Sequence, residues 1–460
     1  MHRVHAVSIA SACVAPALLL GAGVWAQDAA PGFEPATTGP SPAPAPAADV
    51  APAAPPPELG LLERERLLGN WWGARTKLAE SGIRFEIDWT QTIQGVVGGG
   101  REREWEYGGS LDYLLNIDLG KAGLVPGGFL RARGESRYGD SVNGISGAVL
   151  PVDTRGFFPL TSPIDDEIPI ALTELTYTQF FAPWVGVFAG KLQTLDGDPN
   201  EFASGRGARQ FMNSHFIFES VTALTVPYST LGGGVVLLPS ENITILSTVM
   251  NSTDSSTTSG FDDFGDGWTW TTELRAQYTL GTLPGGMNLG VIYAADGAFQ
   301  TIGGRLGLLP FVARDTEDST WAVYWSGWQY LVTLDEPTGP IRVDDGVPDL
   351  RGLGLFARAG FADDDTNPVE VSVSGGLGGR GLVPTRGRDT FGVGVFYTRL
   401  QELRGFQLGG IDRDSVGGEG YYTLAITPAM DLTLNLQVLS TAFDGLDTAT
   451  ILGFRLNMRF

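Results

Sequence analysis

The sequence predicts an all-β fold: a transmembrane antiparallel β-barrel of about 16 strands with a short N-terminal periplasmic helix. Three observations predict it. Beyond Gly82, apolar and polar residues alternate with the period of a strand whose two faces meet different surroundings. No later stretch supplies the roughly 18 consecutive apolar residues of a membrane helix. Short Gly/Pro turns (LVPGG at 124–128, TLPGG at 282–286, TPAMD at 427–431) alternate with long polar loops.

The elements follow in chain order. Residues 1–26 have the form of a secretory signal: Arg3 at the positive end, an apolar run through Leu18, Leu19 and Leu20, and Val24-Trp25-Ala26 before a cut at Gln27. Residues 27–60 are rich in alanine and proline. Proline fixes its own φ and lacks an amide donor, so this piece reads as a disordered periplasmic tether. Residues 61–82 carry a helix signal, with Asn70 placed to cap Trp71–Ser81 and Gly82 placed to stop it. Residues 83–460 form the barrel.

Four segments show the alternation best. Ile83, Phe85, Ile87 and Trp89 interleave with Arg84, Glu86, Asp88 and Thr90. Leu111, Tyr113, Leu115, Ile117 and Leu119 interleave with Asp112, Asn116 and Asp118, with Leu114 out of phase. Trp268, Trp270, Leu274, Ala276 and Tyr278 interleave with Thr269, Thr271, Glu273, Arg275 and Gln277. Leu452, Phe454, Leu456, Met458 and Phe460 interleave with Gly453, Arg455, Asn457 and Arg459. A soluble sandwich also alternates, but these apolar faces are too many for one core, and the aromatics gather near strand ends as in interfacial girdles. With both termini periplasmic, the longest external loops fall near 139–168, 194–228 and 296–319.

Composition excludes several functions. The formal charge of −22 argues against nucleic acid as a partner. The only cysteine, Cys13, lies in the leader, so the mature chain has no disulfide. His2 and His5 share that leader, which leaves His215 and excludes a histidine-rich metal site. Acidic runs at Asp262-Asp263 with Asp266 and at Asp363-Asp364-Asp365 lack the spacing of a calcium loop. Asp165, Asp166 and Glu167 show no assignable glycosidase geometry. No phosphate-loop motif, catalytic set, metal site or cofactor is expected, so the chain is read as a passive channel rather than an enzyme.

If the apolar face meets lipid, the polar face borders water. Arg131, Arg133, Glu135 and Arg137 then point into the lumen, joined by Glu174, Lys191, Glu273, Arg275, Arg358, Glu370, Arg455 and Arg459. Mixed arginines and carboxylates suit sugar hydroxyls, which both donate and accept hydrogen bonds, and aromatic faces suit the C–H face of a pyranose. The same charges also serve to keep the lumen wet by pairing with one another, or to favour anions.

Six stretches resemble the carbohydrate-selective porin (OprB) family over nearly all of 68–460. They are GNWWGARTKLAESGIRFEIDWT, in which Asn70 and Trp72 depart from the family pattern, GKLQTLDGDPNEFASGRGARQFMN, YSTLGGGVVLLP, GLGLFARAGFADDDTNPV, DTFGVGVFY and EGYYTLAITPAMDLTLNLQV. The resemblance implies a sixteen-stranded porin that passes monosaccharides such as glucose, with inward-folded external loops and charged lumen residues forming the constriction. It marks Lys191, Asp198, Asn200, Glu201 and Arg358 as candidates. Terminal Phe460 resembles the signal read by the barrel-insertion machinery. The expected surroundings are outer-membrane lipid and permeating sugars; monomer and homotrimer both remain open, and a porin for other small solutes or anions is the rival reading.

Overall fold

The structure is a computed structural model that describes residues 59–157, 169–194, 199–300, 316–343, 346–401 and 412–460. The predicted leader, nearly all of the tether and Asp198 lie outside the described residues.

Sixteen antiparallel strands close on themselves, each paired with its neighbours in sequence. They are β1 (Ile83–Gly98), β2 (Trp105–Asp118), β3 (Gly128–Gly139), β4 (Ala171–Ala182), β5 (Val185–Gln193) and β6 (Ser229–Ser240). There follow β7 (Ile243–Asn251), β8 (Trp268–Leu280), β9 (Leu283–Gln300), β10 (Thr316–Thr333) and β11 (Gly352–Ala362). The last are β12 (Val369–Arg380), β13 (Thr390–Leu400), β14 (Asp414–Thr427), β15 (Met430–Leu439) and β16 (Ala449–Arg459). β16 returns to β1, with Trp89 opposite Met458 and Gln91 opposite Leu456, so no edge is left unpaired.

Burial is inverted relative to a soluble protein. On β15, Leu432, Leu434, Leu436 and Val438 are exposed while Thr433, Asn435 and Gln437 are buried. On β8, Trp268 and Trp270 are exposed and Thr269, Thr271 and Glu273 buried. Such a surface is costly in water and favourable in lipid, at about 25 cal/mol per Å² of apolar area. A twelve-residue strand such as β3, rising ~3.3 Å per residue at ~40° tilt, spans about 30 Å, the thickness of a hydrocarbon core. Outward aromatics ring both ends: Trp105, Tyr107, Trp268, Tyr293 and Trp321 toward the long loops, Tyr177, Phe181, Trp184 and Tyr278 toward the short turns.

The turns largely match expectation, with differences. Leu283 to Gly286 of the TLPGG stretch already belong to β9. β9 and β10 run to Gln300 and from Thr316, so the loop expected at 296–319 is shorter by its strand-forming ends. At the end that carries the termini, the connection 334–351 is long where a short turn was expected. The N-terminal helix is only Ala74–Glu80, because Trp71, Trp72 and Gly73 all have positive φ and break the segment ahead of it. Asn70 still serves the helix: its Oδ1 accepts from Thr76 N at 3.0 Å. Gly82, at φ +84°, stops it, and a Cβ there would lie 2.4 Å from the Asp118 carbonyl.

Candidate functional site

The inside of the barrel is occupied by the connection between β5 and β6, described over 199–228. Its aromatic and aliphatic side chains Phe202, Phe211, Met212, Phe216 and Val221 are fully buried. They pack on an inner wall that glycines keep low. A Cβ at Gly354 would lie 2.1 Å from the Phe202 ring, and one at Gly378 2.7 Å from Phe202 Cβ. At Gly394 it would meet the Phe216 ring at 2.6 Å, and at Gly360 the Val221 methyl at 2.4 Å. The glycines of GLGLFARAG, GGLGG and FGVGV are thus the sockets into which the segment's side chains fit. Phe211 stacks among Phe216, Phe356 and Tyr421, with centroids at 4.5, 5.3 and 4.8 Å.

The segment's backbone is irregular, so its polar groups need partners from the wall. Arg455 on β16 donates to the Gly207 and Gln210 carbonyls, each at 2.7 Å. Arg358 on β11 donates to the Phe216 carbonyl at 2.8 Å and to that of Ala203. Glu419 on β14 accepts from the amides of Met212 and Asn213 at 2.6 and 2.8 Å. Asn200 donates to Ser326 Oγ and the Gly327 carbonyl at 3.0 and 3.1 Å. Glu201 accepts from Tyr330 OH at 2.5 Å. The connection after β3 adds a second layer: Thr154 donates through N and Oγ1 to the Met212 carbonyl, at 3.0 and 2.7 Å.

A second group of charges is built around arginines that keep some contact with solvent. Arg131 lies 3.1 Å from Glu174, and Arg133 donates to Gln193 at 3.0 Å and lies 3.9 Å from the same carboxylate. Arg206, carried by the inserted segment, bridges Asp112 at 3.1 Å and Glu135 at 2.6 Å. Glu135 also accepts from Tyr228 OH at 2.6 Å. Arg275 pairs with Glu273, which accepts from Asn288 at 3.0 Å and Tyr324 at 2.6 Å. Arg209 lies 3.6 Å from Asp88, and Arg459 pairs with Asp431. The side chains of Arg131, Arg206 and Arg275 are 15, 15 and 16% exposed, against 0% for Arg455.

The residues expected at the lumen therefore separate. Arg131, Arg133, Glu135, Glu174, Glu273 and Arg275 lie on the inner wall in paired groups, and Arg137 donates to the Gly156 carbonyl at 3.3 Å. Asn200, Glu201, Arg358 and Arg455 hold the inserted segment. Glu370 pairs with Arg413 at 2.6 Å. Lys191 departs from expectation. It stands opposite Leu175 and Leu231 in register, and directly paired residues share a face. Leu175 is exposed on the outer face, so Lys191 lies outside, its ammonium donating to the Ser255 and Thr258 carbonyls at 2.8 and 2.5 Å. The alternation signal fails there because the neighbouring Gly190 and Ala189 carry no polarity to set the phase.

Sequence reasoning missed Asp112, Arg206, Arg209 and Glu419 as site residues. Asp112 and Glu419 sit at inward positions of alternating strands. Arg206 and Arg209 sit within GRGARQFMN, so each signal was present in the residues themselves. On the inner wall, Trp328 and Tyr330 pack on Phe202, at centroid distances of 6.4 and 4.8 Å.

His215 is fully inside the inserted segment, stacked on Phe396 at 3.7 Å. Nδ1 donates to Asn213 Oδ1 at 2.7 Å, and Nε2 has no hydrogen-bond partner among the described residues. Burial pulls its pKa down to about 3, so the ring is neutral at physiological pH. A ring so enclosed has no access to a substrate at the rim.

The profile of the carbohydrate-selective porin (OprB) family matches residues 102–460. Among solved structures, the high-pH structure of Pseudomonas putida OprB is similar, with a TM-score of 0.71 at 20% identity, covering 86% of this chain and 99% of that one. The low-pH structure of the same protein gives a TM-score of 0.51 at 16% identity over the same shares. No curated protein matches the sequence significantly. A sixteen-stranded closed barrel, a segment folded into its lumen and a profile match over most of the chain agree: the chain belongs to the carbohydrate-selective porin (OprB) family of outer-membrane channels.

Proposed function

We propose that this porin passes monosaccharides such as glucose down their gradient through transient hydrogen bonds to the paired inner-wall charges. The observation that carries this reading is the pairing itself. Arg131 with Glu174, Arg206 with Asp112 and Glu135, and Arg275 with Glu273 offer donors and acceptors side by side. Paired charges produce little net field, which favours a neutral polyol over an anion and disfavours the anion-channel rival. A guanidinium already engaged by a carboxylate holds a hydroxyl weakly, as passage requires. No step consumes energy, and no covalent chemistry or cofactor is invoked.

The reading extends to the cell. Residues 1–26 export the chain across the inner membrane of a Gram-negative bacterium and are removed, residues 27–60 form a periplasmic tether, and Phe460 presents the C-terminal strand to the insertion machinery. Liposome swelling tests the solute class. Glucose is expected to enter faster than a sugar acid of similar size, and equal rates scaled only by size would contradict the reading. Replacing Arg131 or Arg275 by Ala is expected to narrow the difference several-fold.

A further inference from the structure

The connection 334–351 leaves the barrel at the end that carries the termini, opposite the long loops. Part of it nevertheless reaches the interior. Ile341 and Leu350 are buried in one apolar cluster with Phe202, Phe211 and Phe216. Gln277, an inward residue of β8, clasps the backbone at Ile341: Oε1 accepts from the amide at 2.7 Å and Nε2 donates to the carbonyl at 2.8 Å. Arg380 on β12 donates to the Pro348 and Asp349 carbonyls at 2.9 and 3.2 Å. The chain then meets the inserted β5–β6 segment directly. A Cβ on Gly346 would lie 2.5 Å from Gly205 Cα, and Asp349 N donates to Glu201 at 2.6 Å. Glu201 therefore accepts from both Tyr330 on the wall and the 334–351 connection.

From this junction we infer that the described parts of this connection, 334–343 and 346–351, form a second jaw of the passage, folded in from the termini end, which narrows the route taken by the solute together with the β5–β6 segment. An unpaired, irregular backbone enters a barrel only where side chains satisfy it, and Gln277, Arg380 and Tyr330 do so here from the wall and Glu201 from the inserted segment. The jaw leaves Arg342 and Asp349 exposed, with the Arg342 backbone amide donating to Asp349 Oδ2 at 3.2 Å. An exposed guanidinium and an exposed carboxylate on the jaw offer sugar hydroxyls a donor and an acceptor on the side where solute leaves. Glu201 is a positioning residue that sets the separation of the two jaws.

The inference rests on the channel reading but fails separately from it. The natural chain has a single cysteine, Cys13, in the predicted leader, so an introduced thiol in the processed protein reacts alone. Arg342→Cys and, as a second variant, Asp349→Cys are placed in planar bilayers and exposed to a charged methanethiosulfonate reagent. Stepwise loss of single-channel current is expected, faster when the reagent is added from the termini side. Glu201→Gln is expected to weaken glucose block at least threefold while leaving the barrel's melting temperature within a degree or two. A conducting channel whose current ignores modification at both positions overturns the second jaw. A wild-type barrel that carries no current would instead overturn the channel reading.

Discussion

At the residue scale, buried arginines and carboxylates act here as backbone caps. Arg455 satisfies two carbonyls of a segment whose only regular structure is short 3-10 turns, and Glu419 satisfies two amides. Removing one such partner leaves buried groups unpaired, at about 1–3 kcal/mol each. Arg455→Met is therefore expected to destabilise the inserted segment by a few kcal/mol and to expose 199–222 to limited proteolysis while the barrel stays folded. His215 gives a pH dependence of defined sign. Its folded pKa is depressed below the unfolded ~6.5, so its stabilising contribution is complete above that pH and is lost as pH falls toward 3. Charges that bind its chain neighbours are Arg358, bound to the Phe216 carbonyl, and Glu419, bound to the Asn213 amide. Asp153 in the adjoining connection has its pKa raised by burial, so its effect has the opposite sign. Proteolysis of the segment is expected to speed up between pH 7.5 and 5.5, and His215→Phe, which keeps the stacking on Phe396, is expected to remove that change.

At the element scale, the strands were legible and the inserted segments were not. Period-2 alternation marks a strand between lipid and water over any run of residues, which is why β1, β2, β8 and β16 were readable from the chain. The segment at 199–228 was placed as a long loop, but its burial depends on contacts with strands far away in sequence. The glycines on β11–β13 that receive it look in sequence like weak strand formers. Their arrangement makes a prediction. Gly394→Val puts a branched side chain where Phe216 now sits, so the segment is expected to be displaced and conductance to rise. Gly420→Ala, whose Cβ meets nothing closer than 4.0 Å, is expected to change neither. The connection 334–351 carried no inward signal, since its anchors Gln277 and Arg380 belong to other strands. Lys191 was misplaced for a related reason: one polar residue after Gly190 does not fix which face it joins.

At the scale of the whole molecule, the barrel follows from one constraint. In lipid every backbone group must find a partner within the protein, and closing β16 on β1 provides it. The greasy rows then face out and the polar rows face in, where charges pair across strands and against the inserted segments. Family membership and the paired inner wall lead to the same account, a passage narrowed by inserted chain and nearly neutral in field. Single-channel recording in planar bilayers, with glucose added to a potassium chloride bath, tests this most directly. The account predicts a steady open current that millimolar glucose reduces in a saturable way, with weak preference between cation and anion. A current indifferent to glucose together with strong anion selectivity would contradict it.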